Sequence, residues 1–188
     1  MSTIKDAIAG RSSVYPDQFV DKKISREILN DILTSANYAP SHRKTYPWRF
    51  VVLTGEAKSK FGQFLADTYK KSTPEAKYSS FKHKKIEEKS LKSGAVIAVC
   101  MQRDPKESVP EWEEVAATAM AVQNLWLRLE ELGLGGYWST PGLKDSFGQF
   151  YTMPEGQKCL GFFYLGYVNE PISSQKAGLA IDEHVYHL

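Results

Sequence analysis

Cysteine is scarce in this sequence, with two among 188 residues. Each lies inside an apolar run, Cys100 in AVIAVCMQ and Cys159 in KCLGFFYLG. A thiol in such a run behaves as a small core hydrophobe, so two separate buried thiols are expected, with a pairing between them as the alternative. No apolar stretch approaches the length of a membrane span. The opening MSTIKDAIAGRSS holds no apolar segment ahead of a cleavage site. A reduced, cytoplasmic protein with no membrane contact is the expectation. Charge of one sign is missing too: 24 Lys and Arg stand against 22 Asp and Glu, a net charge of +2. The charges are interleaved, which excludes neither enzyme nor binding module but gives no ground for a nucleic-acid partner. Internal repeats, low-complexity tracts and interdomain linkers are absent. Residues 1–188 are therefore expected to form one domain, long enough to bury a core.

The familiar catalytic constellations are missing as well. There is no P-loop, no zinc-ligand spacing and no nucleophile elbow. A dinucleotide fingerprint of the GxGxxG type is not found either. His184 and His187 have no third ligand near them, so no metal is expected. Without a side-chain constellation, catalysis would rest on a bound cofactor, and no residue is assigned as catalytic acid or base.

What is present reads as alternating helices and strands. Ile4–Ala9 forms a short helix ending at Gly10. Ser25 caps a second helix whose Leu29, Ile32 and Ala36 share a face, and Pro40 stops it. WRFVVL and GAVIAVCMQ are buried strands with helices between them. The segment from about Glu113 to Leu132 is apolar nearly all round, the pattern of a helix buried in a core or a subunit interface. GLGGYWSTP reads as a turn leading into a short strand, and KCLGFFYLGYV is the last strong strand. The order gives an α+β fold, a mixed β-sheet flanked by helices.

Three polar segments stand out. GRSS sets a guanidinium and two hydroxyls directly after a helix, a set suited to a phosphate or a ribityl chain; a capped helix end with an exposed arginine is the plainer reading. PSHRKTYPW crowds His42, Arg43 and Lys44 into a bend between two prolines, or is simply a polar turn closed by an aromatic anchor. GLGGYWSTP would let a flat ligand approach backbone N–H groups, or would serve only as a helix end and turn.

Taken together, these segments resemble the FMN-dependent nitroreductase family, in its small bacterial NAD(P)H nitroreductase branch. Arg11-Ser12-Ser13 matches the Arg-Arg-Ser after the first helix. Ala39-Pro40-Ser41-His42 through Tyr46-Pro47-Trp48 matches the Ala-Pro and Gln-Pro-Trp marks. Gly135-Gly136-Tyr137-Trp138 matches the Gly-Gly-x-Trp turn, and Leu160 to Gly166 the closing strand. VPEWEE before the long helix also has its counterpart. The resemblance implies an intertwined homodimer with FMN at the interface and the tail 171–188 packing on the partner subunit. It implies that Arg11, Ser12 and Ser13 hold the phosphate and ribityl end, with Tyr38 and His42 of the same subunit touching the cofactor. Trp138, Ser139 and Thr140 are implied to come from the other subunit. The chain departs from the family at Tyr15, where a basic residue is common, at Tyr38 in place of arginine, and at Tyr46 in place of glutamine. The implied activity is hydride transfer from NAD(P)H through FMN to a nitroaromatic or quinone acceptor. The alternatives are a non-catalytic flavin-binding dimer, or the same fold used for dehalogenation, azoline oxidation or flavin fragmentation.

Overall fold

A computed structural model describes residues 4–169 and 181–188. Strand β2 (Ala95–Gln102) lies at its heart, and every residue from Ala95 to Met101 is fully buried. An unbroken apolar run is what a strand covered on both faces requires. β2 pairs with β1 (Trp48–Leu53) on one side and β4 (Gln157–Tyr167) on the other, and β3 (Leu134–Ser139) completes the order β1-β2-β4-β3. The α+β class expected from the sequence is what is found, but among the described residues all pairings are antiparallel rather than mixed. The reason is the helical hairpin of α3 (Gly55–Ser72) and α4 (Ser80–Lys92), which returns the chain to the end of the sheet it left, so that Leu53 faces Val96.

Helices α1 (Ile4–Gly10), α2 (Arg26–Ala36) and α5 (Glu111–Glu131) lie on one face of the sheet, and α3 and α4 on the other. The Ser25 hydroxyl accepts from the Ile28 N–H at 3.3 Å, the N-cap that the sequence announced. Helix α5 buries Ala117, Ala121, Val122, Leu125 and Leu129 against the sheet. Its outer side carries Trp112, Ala116 and Met120 at intervals of four, and Trp112 is 68% and Met120 41% exposed. Among the described residues nothing covers Trp112 and Met120 of this stripe fully.

Two details were not legible. The Gly-Gly-x-Trp segment, expected as a turn, lies inside β3. Register along β2 and β4 steps from Val99↔Gly161 to Cys100↔Cys159, leaving Leu160 as the extra residue of a β-bulge. The two cysteines, expected as separate thiols, therefore face each other; both are buried and unbridged. Of the tail expected to pack on a partner, 171–180 lie outside the described residues, and Ile181–Glu183 form a single 3-10 turn.

Candidate functional site

After α1 the chain runs extended across the edge of the sheet. The Val14 N–H donates to the Gly136 carbonyl at 3.0 Å, fastening the Arg11–Val14 segment to β3. The two glycines of β3 make this approach feasible. A Cβ on Gly135 would stand 2.7 Å from Val14 Cβ, and one on Gly136 would stand 2.6 Å from the Phe163 ring. Both distances are shorter than carbon atoms tolerate, so no larger residue fits beneath the loop.

Between this loop, the C-terminal half of α5 and the start of β3 lies a cavity of about 270 Å³, walled by Arg11, Ser12, Trp126, Glu130 and Gly133 to Gly136. The Arg11 guanidinium sits over the Trp126 ring, 4.5 Å from its centroid. The buried Trp126 indole N–H has no hydrogen-bond partner among the described residues. Trp126 packs edge-on against Phe163 at 5.1 Å, and Phe163 faces Trp138 across the β3–β4 ladder. The Trp138 indole N–H is also buried and has no hydrogen-bond partner among the described residues. Ser139 is half-buried and Thr140 exposed at the end of β3. Tyr15 lies on Tyr137, ring centroids 4.8 Å apart, and burial pushes the Tyr137 phenol up to about 12.

Tyr38 and His42 do not line this cavity. Tyr38, 80% exposed, borders a separate groove with Ile4 and Ala7 of α1 and Leu127 of α5. His42 lies near the other end of α5, where its Nδ1–H donates to the Glu113 carboxylate at 2.5 Å. That bond leaves Nε2 as the atom His42 can offer elsewhere. The bend from His42 to Tyr46 holds Arg43 at φ 52°, Lys44 at φ 54° and Tyr46 at φ 43°. A left-handed non-glycine residue costs on the order of 1 kcal/mol. Local bonds hold the shape: the Tyr46 N–H donates to Ser41 Oγ at 2.9 Å, and Arg49 Nη1 donates to the Tyr46 carbonyl at 2.8 Å. Trp48 Nε1 donates to Asn37 Oδ1 at 2.9 Å, tying the bend to the end of α2. His42, Arg43 and Lys44 all point to solvent.

Sequence reasoning missed Trp126 and Glu113 as members of these sites. Trp126 carried only the signal of an apolar stripe on α5. Glu113 stands within VPEWEE, where nothing in the pattern tied it to a histidine 71 positions away.

An antiparallel sheet between two helical layers, with an arginine-bearing loop fastened to a glycine-rich edge strand, defines an α+β protein with a cavity at the sheet margin walled by Arg11 and Glu130. The nitroreductase family model matches residues 8–167, and the chain belongs to that family. YfhC of Bacillus subtilis, provisionally named an NAD(P)H nitroreductase, is 28% identical over 176 residues, covering 90% of this chain and 86% of that one. A nitroreductase-like family protein from Bacillus cereus superposes with a TM-score of 0.84 at 29% identity, over 100% of this chain and 97% of that one. A provisionally named nitroreductase from Desulfovibrio desulfuricans, solved in complex with FMN, shares the fold with a TM-score of 0.73 at 20% identity, covering 100% of this chain and 98% of that chain. Among the described residues no helix is long and apolar enough to cross a membrane.

Proposed function

We propose that this chain is an FMN-dependent oxidoreductase working as a homodimer. Bound FMN would supply the redox chemistry, taking a hydride from NADH or NADPH and returning the electrons to an oxidised acceptor such as a nitroaromatic or quinone. The cavity lined by Arg11 and Ser12 beside Trp126 carries this reading, because it sets a guanidinium and a hydroxyl side chain where an anionic, hydroxyl-rich chain could lie. The FMN-bound relative of the same fold supports the choice of cofactor.

Arg11, Ser12 and Ser13 would hold the phosphate and ribityl end. Trp138, Ser139 and Thr140 follow in the same chain on the strand to which that loop is fastened, so we assign both segments to one protomer. Tyr38 and His42 lie elsewhere along α5, and we assign them to the site of the partner. This reverses the division between subunits that the resemblance implied. The outward stripe Trp112, Ala116 and Met120 supplies an apolar face for a second copy. The tail 171–188 is our candidate for further contact with that copy. His42, Arg43 and Lys44 would bring positive charge and donors toward the cofactor, favouring its reduced, anionic form.

Purified protein should carry a flavin spectrum that bleaches with NADH or NADPH in the absence of oxygen and recovers with a quinone. Colour without bleaching would leave a flavin-binding dimer. Arg11→Ala should weaken FMN retention by about ten- to a hundredfold while the circular-dichroism spectrum stays unchanged. Unchanged affinity would remove the phosphate assignment.

A further inference from the structure

The bulge in β4 places two thiols against one another in the core. Without it, continued pairing from Val99↔Gly161 would set Leu160 opposite Cys100; with it, Cys159 stands there. The bulge also restores the alternation of faces, so both sulfurs enter the cluster beneath α3 and α4 with Phe162 and Tyr164. Directly opposed residues on antiparallel strands have Cα atoms about 4.5–5.5 Å apart, inside the roughly 4.4–6.8 Å span of disulfides. The register therefore sets the two cysteines at the separation a disulfide needs.

Gly161 connects this pair to the candidate cofactor site. Its φ is 149°, a conformation that side chains rarely adopt, and it lies under the end of β3. A Cβ there would meet Ser139 O and Trp138 Nε1 at 2.6 Å and Thr140 Cγ2 at 3.1 Å. A change in the bulge therefore bears directly on Trp138 to Thr140.

We propose that Cys100 and Cys159 form a redox-active dithiol, closed to a cross-strand disulfide by a peroxide, and that closure at the bulge lowers the affinity of the Trp138–Thr140 site for FMN. The consequence for FMN rests on the function proposed above; the disulfide itself does not. Cys159 is the sulfur that reacts first. It is 7% exposed where Cys100 is fully buried, so a small oxidant reaches it sooner. The Cys159 thiolate attacks a peroxide oxygen, the O–O bond breaks, and the departing hydroxide takes up a proton to leave as water. Cys100, losing its proton, attacks the resulting sulfenic sulfur; the S–S bond forms, the S–O bond breaks, and a second water leaves. Two thiols and one peroxide thus give one disulfide and two waters, with two electrons passing from sulfur to oxygen.

The test treats the folded full-length protein, as purified with its flavin, with hydrogen peroxide in stoichiometric steps. Intact mass and alkylation by iodoacetamide under denaturing conditions are followed. The expected result is an intramolecular loss of two hydrogens, with both cysteines protected from alkylation and released by dithiothreitol. FMN affinity should fall at least about fivefold on oxidation and recover on reduction. Cys100→Ala and Cys159→Ala should each abolish the two-hydrogen loss, and either variant suffices if the other folds poorly. Thiols that remain alkylatable, that advance to sulfinic acid, or that cross-link separate chains would overturn the dithiol. Disulfide closure with unchanged FMN affinity would overturn the coupling. A protein that closes the disulfide yet never binds flavin would sink the proposed function and the coupling while leaving the dithiol standing.

Discussion

Two basic segments of this chain are built on opposite principles. Arg11–Val14 is drawn inward: a backbone bond fastens it to β3, two glycines clear its path, and its guanidinium lies on a buried indole. His42–Tyr46 is pushed outward. It spends conformational energy on three left-handed residues to hold a histidine, an arginine and a lysine at the surface, the histidine tied to Glu113. The first segment completes a wall within its own chain. The second meets no cavity among the described residues, and strain of that kind persists only where the surrounding structure fixes it. The contrast is what one expects of a site divided between two copies of one protein.

Mixing two inactive variants tests that division most severely. Arg11→Ala and His42→Ala, each poor in flavin retention, would be unfolded together and refolded as a mixture. If the two segments serve one site from different protomers, about a quarter of the sites regain both residues and bind flavin. No recovery would return both residues to one subunit. The inward segment can be broken directly. Gly136→Val would force carbon into the Phe163 ring and the Tyr164 carbonyl, 2.6 and 2.8 Å from the ideal Cβ. Overpacking of this kind should cost about 3 kcal/mol in a urea titration, and flavin would be lost with it. The outward segment should answer in the other direction. Arg43→Gly removes a left-handed side chain and should raise stability by roughly 0.5 kcal/mol, since relief of strain exceeds the entropy that glycine gives the unfolded chain. Flavin affinity should fall all the same. A variant that loses stability instead would mean that Arg43 is packed rather than presented.

The smallest effect separates neither segment but sets their common background. Hydrogen bonds from Ser108 hold the Asp104 carboxyl below its ordinary value, and Lys92 does the same for Asp17. A lowered carboxyl contributes stability above its unfolded pKa and loses it as the pH falls through the folded one. The melting temperature should therefore be level above about pH 5 and decline in acid, with Asp104→Asn shallower in that decline than the parent.

The helices and strands were legible because their apolar periods were strong: AVIAVCM allows little except a strand buried on both faces, and the Ser25 cap marks the start of α2. Arg11 and Ser12, which stood out beside a glycine in the sequence, do line the cavity, while Trp138 is not in its wall. Pairing direction was not, since the return of the α3–α4 hairpin is a property of the packed pair rather than of either helix. Nor was the role of Gly135 and Gly136, which looked like turn residues; only the loop crossing over them shows why a strand would tolerate two glycines. The facing cysteines were hidden by a single extra residue in β4, a shift that no periodicity of the flanking strand announces.

The placement of Arg11 over Trp126 has an optical consequence. Indole emission responds to charge and polarity within a few ångströms, so a ring pressed against a guanidinium reports on whatever that guanidinium binds. An anion arriving in the cavity would change the colour and intensity of that emission before any chemistry takes place. The protein thus carries its own fluorescent probe at the wall of its candidate site.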